Sequence, residues 1–178
     1  MAKIKKTSSP KKKRKSKPTI IDGHEFGSKS TANFYLELQE LKQEGLISQY
    51  KVPTKNEQVK NKLGAKKCEI DTVVFDSMME AKFYIHLLKL KKKGEVIDIA
   101  LQPKYELQEG FYKFGKKVRA ITYKADFLVT TKDKEKHLYD VKGYKTDAFR
   151  LKQKLFDNKF RDTKLICITQ KKKGWVEV

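Results

Sequence analysis

The chain has 178 residues, enough for one domain with its own core and no need of disulfide staples. Its 42 Lys and Arg against 22 Asp and Glu leave a formal charge of +20, which calls for a polyanionic partner. The charge is spread along the chain rather than gathered beside an apolar anchor, and no apolar run approaches the roughly 20 residues that span a bilayer, so nucleic acid is favoured over a membrane. Cys68 and Cys167 stand far apart, which excludes zinc-ligand spacing and a disulfide framework. The first residues lack the apolar segment of a secretory signal, and the expected compartment is a reducing cytoplasm.

Residues 1–19 read as a disordered basic tail, with many lysines, no acid and almost nothing to bury. The run "PKKKRK" contains Lys11, Lys12, Lys13 and Arg14 and resembles a nuclear localisation signal. A basic arm that grips phosphates has the same composition, and that reading is adopted; a nuclear location follows only if the run acts as a signal.

Residues 20–55 and the segment from Ile70 resemble each other. "IDGHEFGSKSTANFYLELQELKQEGLI" from Ile21 aligns with "IDTVVFDSMMEAKFYIHLLKLKKKGEV" from Ile70, an offset of 70 − 21 = 49 positions. Ile-Asp, Phe26 with Phe75, Ser28 with Ser77, Ala32 with Ala81, Phe-Tyr, and Gly45 with Gly94 all coincide. Each copy predicts a short strand or turn, a Ser N-cap, an amphipathic helix and a Gly stop. Two helices made alike by packing alone would share the stripe but not the cap, the aromatic pair and the stop in register, so a duplication is expected. Residues 56–67 read as a linker.

Where the second copy has Glu80, the first has Thr31. Glu80 stands three residues after Ser77, the spacing of a capping box, yet a first-turn carboxylate can equally face a site at a sheet edge. Beyond Gly94, strands are expected over residues 96–99, 105–107, 119–129 and 136–141. A helix follows over 147–160, with Leu151, Leu155 and Phe156 on one stripe, and "KLICITQ" reads as a final buried strand. This order predicts an α/β fold, a central mixed sheet flanked by helices.

Two of those strands carry charge in apolar surroundings, "YKADFLV" with Asp126 and "LYDVKG" with Asp140 and Lys142. Side chains alternate along a strand, so Asp140 and Lys142 share a face. A hard divalent cation takes oxygen ligands, commonly one or two carboxylates with water and substrate phosphate. Asp126, Asp140 and Glu80 could supply the carboxylates, the Val141 carbonyl a further ligand, and Lys142 an ammonium beside them. A solvated charged face or a simple cross-strand pair is the competing reading.

These residues resemble the PD-(D/E)XK phosphodiesterase superfamily of restriction endonucleases, junction-resolving enzymes and transposon end-cleaving nucleases. Glu80 matches the acid of the first core helix, Asp126 the strand acid, and Asp140-Val141-Lys142 the (D/E)-X-K. Within that superfamily, "FDSMMEAKFY…G…LQPKYEL…YKADFLV…YDVKGYKT" looks like a small phage-associated nuclease-like family and is similar to the endonuclease subunit of bacterial cut-and-paste transposons. The likeness covers residues 66–169; Ala125 stands where the pattern has proline.

The resemblance implies a restriction-endonuclease-like core over residues 68–178 and metal-dependent hydrolysis of DNA phosphodiester bonds, with Glu80, Asp126, Asp140 and Val141 holding Mg²⁺ or Mn²⁺ and Lys142 activating water or stabilising charge. Gln102 becomes a secondary catalytic candidate. Lys124, Tyr144, Lys145 and Arg150, with the tail cations, become candidates for double-stranded, possibly branched, DNA, and paired cuts would suit a homodimer. A non-catalytic basic module that binds DNA or RNA is the alternative. His24, His86 and His137 have no ligand partner at recognisable spacing and are not assigned.

Overall fold

A computed structural model describes residues 18–57, 67–172 and 174–178. Residues 1–17 of the expected tail, with Lys11, Lys12, Lys13 and Arg14, and most of the expected linker lie outside the described residues, while Thr19, expected in the tail, pairs with Phe26 in the first hairpin.

The chain begins with a hairpin, β1 (Thr19–Ile21) and β2 (His24–Phe26), and helix α1 (Lys29–Gln43). β3 (Tyr50–Lys51) then pairs with β4 (Cys68–Ile70), which forms a second hairpin with β5 (Val73–Phe75) ahead of helix α2 (Met78–Lys92). Both helices have 15 residues, both start at a serine whose hydroxyl accepts an N–H three residues on, and both stop before a glycine at positive φ, Gly45 and Gly94. The glycines are placed where only a residue without Cβ turns out of a helix at little cost.

The two helices run in the same direction, since their cross-links climb both in order: Lys82 to Ser30 at 3.2 Å, Lys89 to Glu37 at 2.6 Å and Lys92 to Glu44 at 2.9 Å. Such exposed contacts contribute little. The apolar stripes beneath them hold the pair, for Phe34, Leu38 and Leu41 of α1 share one buried core with Phe83, Ile85 and Leu87 of α2.

The central sheet is five-stranded in the order β14 (Gly174–Glu177), β13 (Leu165–Lys171), β12 (Lys136–Val141), β11 (Phe127–Thr131), β6 (Val96–Leu101). β12 and β13 are parallel, joined through helix α3 (Asp147–Lys159), and the other neighbours are antiparallel, so the sheet is mixed. Alternation then sorts the strands between two cores. Phe127, Val129, Val141 and Ile168 pack toward α2, whereas Leu138, Leu165 and Cys167 pack toward α3. A separate antiparallel pair, β7 (Lys104–Gln108) with β10 (Ile121–Lys124), lies on the α3 side, and β8 (Phe111–Lys113) with β9 (Lys116–Val118) forms a hairpin between them.

Three expectations need correction. The single strand expected over 119–129 is two strands in different sheets, because the chain breaks at Ala125 and Asp126, where Ala125 N–H bonds to Pro103 and Asp126 N–H to Tyr139. Leu151 is off the buried stripe of α3, 60% exposed, and Phe149 joins Phe156 inside instead. β8, β9 and β14 have no counterpart among the expected strands, being short and largely exposed. No helix among the described residues is long and apolar enough to cross a membrane.

Candidate active site

The parallel unit fixes where charge gathers. In α/β sheets, ligands bind beyond the carboxyl ends of parallel strands, and β12 ends at Val141 with Lys142 just past it and α3 following. Asp140 is fully buried on the α3 side. Its Oδ2 accepts the hydroxyl of Tyr123 from β10, and its Oδ1 lies 2.5 Å from Lys142 Nζ. That ammonium is the partner of the buried Oδ1, which no neutral donor reaches among the described residues. Lys142 is held from above by Phe149 of α3, whose ring lies 5.2 Å from the ammonium.

Asp126 occupies the break between β10 and β11 rather than a strand. Its Oδ2 accepts the Val141 N–H at 2.7 Å, which ties the first acid to the (D/E)-X-K stretch through the backbone. Gln102 touches Asp126 from the other side, its N–H donating to the Asp126 carbonyl at 2.9 Å. Gln102 has φ of 53°, a left-handed conformation that a non-glycine residue adopts at a cost and that is common near working sites.

Glu80 closes the capping box. Its Oε1 accepts from Ser77 Oγ at 2.9 Å and its Oε2 from the Asp76 N–H at 3.2 Å, while the Glu80 N–H donates back to Ser77. The cap does not take it out of the cluster. Burial first, and the Asp126 carboxylate second, push Glu80 from 4.5 up to about 7. Burial also raises Asp126, against the pull of Lys142, the Val141 N–H and Lys124. It raises Asp140 likewise, against Lys142 and Lys145. Burial works against the Lys142 ammonium, yet Asp140, then Asp126 and Glu80, outweigh it and leave its pKa above the ordinary lysine value.

Residues 60–174, more than half of the chain, match the family model described as "Protein of unknown function (DUF1064)". The chain belongs to the DUF1064 family. No curated protein and no solved structure matches it. The part of this DUF1064 chain that matches takes in β4, β5, α2 and the central sheet up to the start of β14, hence every charged group just described, and leaves out the first hairpin and α1.

Other sequence candidates in the DUF1064 chain lie around the rim. Lys124 is exposed at the end of β10 and felt by Asp126. Lys145 donates to the Val178 carbonyl at 2.8 Å while its charge reaches Asp140. Tyr144 is exposed and makes up part of the open surface after β12, and Arg150 is exposed on α3, its Nε 3.5 Å from the Lys145 carbonyl. Among the described residues no group of three His, Cys, Asp or Glu stands ready to hold a metal ion.

Two members of the site escaped the sequence reading. Tyr123 supplies the one hydroxyl on Asp140, and its signal was its place three residues before Asp126. Asp76 raises both Glu80 and Asp126 electrostatically. It aligns with Gly27 at the same offset of 49, so around the helix start the second copy carries two acids, Asp76 and Glu80, where the first has none.

Proposed function

We propose that the chain is a metal-dependent DNA endonuclease of the PD-(D/E)XK type, built on a restriction-endonuclease-like core. The observation that carries this reading is that groups up to 62 positions apart (142 − 80) meet at the carboxyl end of β12, where the Lys142 ammonium is favoured by Asp140, Asp126 and Glu80, and Glu80 in turn is raised by Asp126. Asp140 Oδ1 is buried and answered among the described residues by the Lys142 ammonium, and a carboxylate oxygen has a second lone pair that a cation there could take. Asp126 and Asp140 would hold Mg²⁺ or Mn²⁺, with Glu80 and the Val141 carbonyl as further donors. When bound, such an ion offsets phosphate charge and lowers the pKa of water.

The chain's own residues supply the rest. Lys142 keeps its proton, so it acts on the charge that develops on phosphate oxygens rather than as a base. Val141 N–H and Tyr123 fix the two aspartates in place. Gln102 braces the backbone of Asp126. The net charge of +20 supports a DNA backbone as partner, with Lys124, Tyr144, Lys145 and Arg150 at the rim and Lys11, Lys12, Lys13 and Arg14 of the tail as further phosphate contacts. A branched substrate, cut in pairs by a homodimer within a phage or mobile-element cycle in a bacterial cytoplasm, belongs to the same reading. We also read the first hairpin and α1 as a duplicated copy that lost, or never had, catalytic acids.

The rival reading is a basic nucleic-acid module without catalysis. It draws on Glu80, whose two oxygens are both engaged in the helix cap. Incubation with branched, linear and single-stranded DNA, with and without Mg²⁺, separates the two. Metal-dependent cleavage, lost in Asp140→Ala and Lys142→Ala while binding persists, is the expected result. Cleavage without metal, or none on any DNA, leaves the binding module.

A further inference from the structure

The β8–β9 hairpin stands out from the rest of the surface. Its strands pair Phe111 with Val118, Tyr112 with Lys117 and Lys113 with Lys116, which leaves Phe114 and Gly115 as a two-residue turn. Both turn residues have positive φ, 49° and 71°, the signature of the turn that suits the twist of a hairpin. That turn favours Asn-Gly or Asp-Gly, and the chain uses Asp22-Gly23 in the same way between β1 and β2, at 50° and 75°. At 114 it has a phenylalanine instead. A bulky ring in the left-handed region is a strained choice. Burial gives nothing back, because Phe114 is 94% exposed and Tyr112 beside it 73% exposed.

The setting of these rings is cationic. Lys113, Lys116, Lys117 and Arg119 surround them, with no acid from 110 to 120, and Lys113 Nζ lies 5.7 Å from the Phe114 ring. Exposed aromatic faces among lysines and arginines fit a strand whose bases are free to stack, since the bases meet the rings and the phosphates the cations. A double helix offers no free base face.

The base of the arm is anchored where the tip is not. β7 and β10 continue the two strands of the hairpin, and Tyr105 and Tyr123 pack edge-on against Phe156 of α3. Tyr123 also holds Asp140, and β10 runs straight into Asp126. From Gly115 to Asp126 is eleven steps, so the tip lies at most about 36 Å from the site at ~3.3 Å per residue.

We propose that the β8–β9 hairpin is a wedge that stacks Phe114, assisted by Tyr112, on unpaired bases where a duplex opens into single strands. The proposal rests on the reading of DNA as substrate and adds its shape, a fork or splayed junction. The cut then falls within about eleven base pairs of the opening, at 3.4 Å per base pair.

Phe114→Asn is the sharpest test, because it creates the Asn-Gly sequence that the turn prefers and removes only the ring. Binding is measured in EDTA by fluorescence anisotropy, on a fork and on a blunt duplex of equal length. The unmodified chain is expected to favour the fork about tenfold, the variant to lose that preference with duplex binding unchanged, and Phe114→Trp to restore it. Cleavage of the fork in Mg²⁺, mapped along each strand, is expected near the opening. An unchanged fork-to-duplex ratio in Phe114→Asn overturns the wedge even where Asp140-dependent cleavage persists. A ring-dependent fork preference without any cleavage keeps the wedge and removes the nuclease. A variant that turns a dimer into a monomer, with DNA binding intact, assigns the hairpin to a protein contact and overturns the wedge as well.

Discussion

The two hairpin and helix segments share a frame and differ in charge. In the first, Ser28 is met by the neutral hydroxyl of Thr31, 2.8 Å away, and the turn before it is Gly27. In the second, Ser77 is met by the Glu80 carboxylate at 2.9 Å, preceded by Asp76. Both helices are capped and both are 15 residues long. A neutral residue is therefore enough to close this cap. The negative charge at 80, half-buried beside Asp126 and held near a pKa of 7, is surplus to the helix and costly to it. What separates the copies is the neighbour each faces, for α2 packs on the end of the sheet that carries Asp126 and Asp140, while α1 packs beside α2 and away from it.

The largest effect is expected at the residues the first copy lacks altogether. Asp140→Ala should lower DNA cleavage by about a thousandfold, roughly 4 kcal/mol of transition-state stabilisation. Lys142→Ala should do the same and also destabilise the fold by about 3 kcal/mol, because it leaves a fully buried carboxylate without its cation. A paired change, Asp140→Asn with Lys142→Met, should stay within about 1 kcal/mol of the parent in urea and remain inactive. Retained cleavage in that double variant would remove the site from the chemistry.

An exchange between the copies tests the comparison directly. Glu80→Thr writes the first copy's cap into the second and removes the costly charge, and should leave the melting temperature at neutral pH no lower than the parent's while cleavage falls about a hundredfold. Thr31→Glu is the converse. Thr31 is buried, so the added carboxylate should destabilise by about 1 to 2 kcal/mol and leave cleavage per folded molecule as it was. Equal losses of activity from both exchanges would mean that the cap, not the charge, is what cleavage depends on.

Much of this was legible in the chain. The Ser caps, the Gly stops and the period of the two helices are local signals, and strand β12 and helix α3 announce themselves by alternation and by the stripe through Leu155 and Phe156. Asp140 and Lys142 were placed on one face by strand geometry alone, and they are paired. The rest depended on long-range contacts. Asp126 looks like a mid-strand residue until Pro103 and Tyr139 take its neighbouring backbone groups and break the strand in two. Tyr123 reads as one more inward aromatic, since nothing local says that its hydroxyl ends on Asp140. Hairpin β8–β9 has no buried face, so the hydrophobic pattern had nothing to report.

The titration of Glu80 gives a smaller and independent measure. A carboxyl raised from 4.5 to about 7 binds its proton more tightly in the folded chain, so ionising it opposes folding. The sign follows: stability falls as pH rises through the window from 4.5 to 7, and the loss is complete above it. Glu80→Gln keeps an oxygen for the cap and has no proton to lose. Its advantage over the parent should be near zero at pH 4.5 and grow to on the order of 2 kcal/mol by pH 7.5, read from urea midpoints. Asp140 titrates in both proteins and cancels in the difference, whereas Asp126 repels an ionised Glu80 in the parent alone, and that repulsion is part of the difference. In the same window, metal affinity of the parent should climb with pH, since a ligand must first lose its proton. Parallel urea curves would mean that water reaches Glu80 freely, and the contrast with Thr31 would shrink to a difference in side-chain length.

The smallest effect is expected at the serines the copies share, and there the comparison should come out equal in one measurement and unequal in another. Ser28→Ala and Ser77→Ala each remove a hydroxyl that accepts one first-turn N–H, at 3.1 Å and 3.2 Å, so each should cost about 1 kcal/mol of stability. Their consequences for cleavage should differ. Ser28 touches only Thr31 and its own turn, and its loss should be silent in activity. Ser77 also donates to Glu80 Oε1, so its loss frees that carboxylate to swing from the cap, and the Asp76 N–H alone remains to steer it. If Glu80 serves the cation pocket, cleavage by Ser77→Ala should shift by several-fold at constant DNA affinity, whereas equal silence in both variants would return Glu80 to a purely capping role.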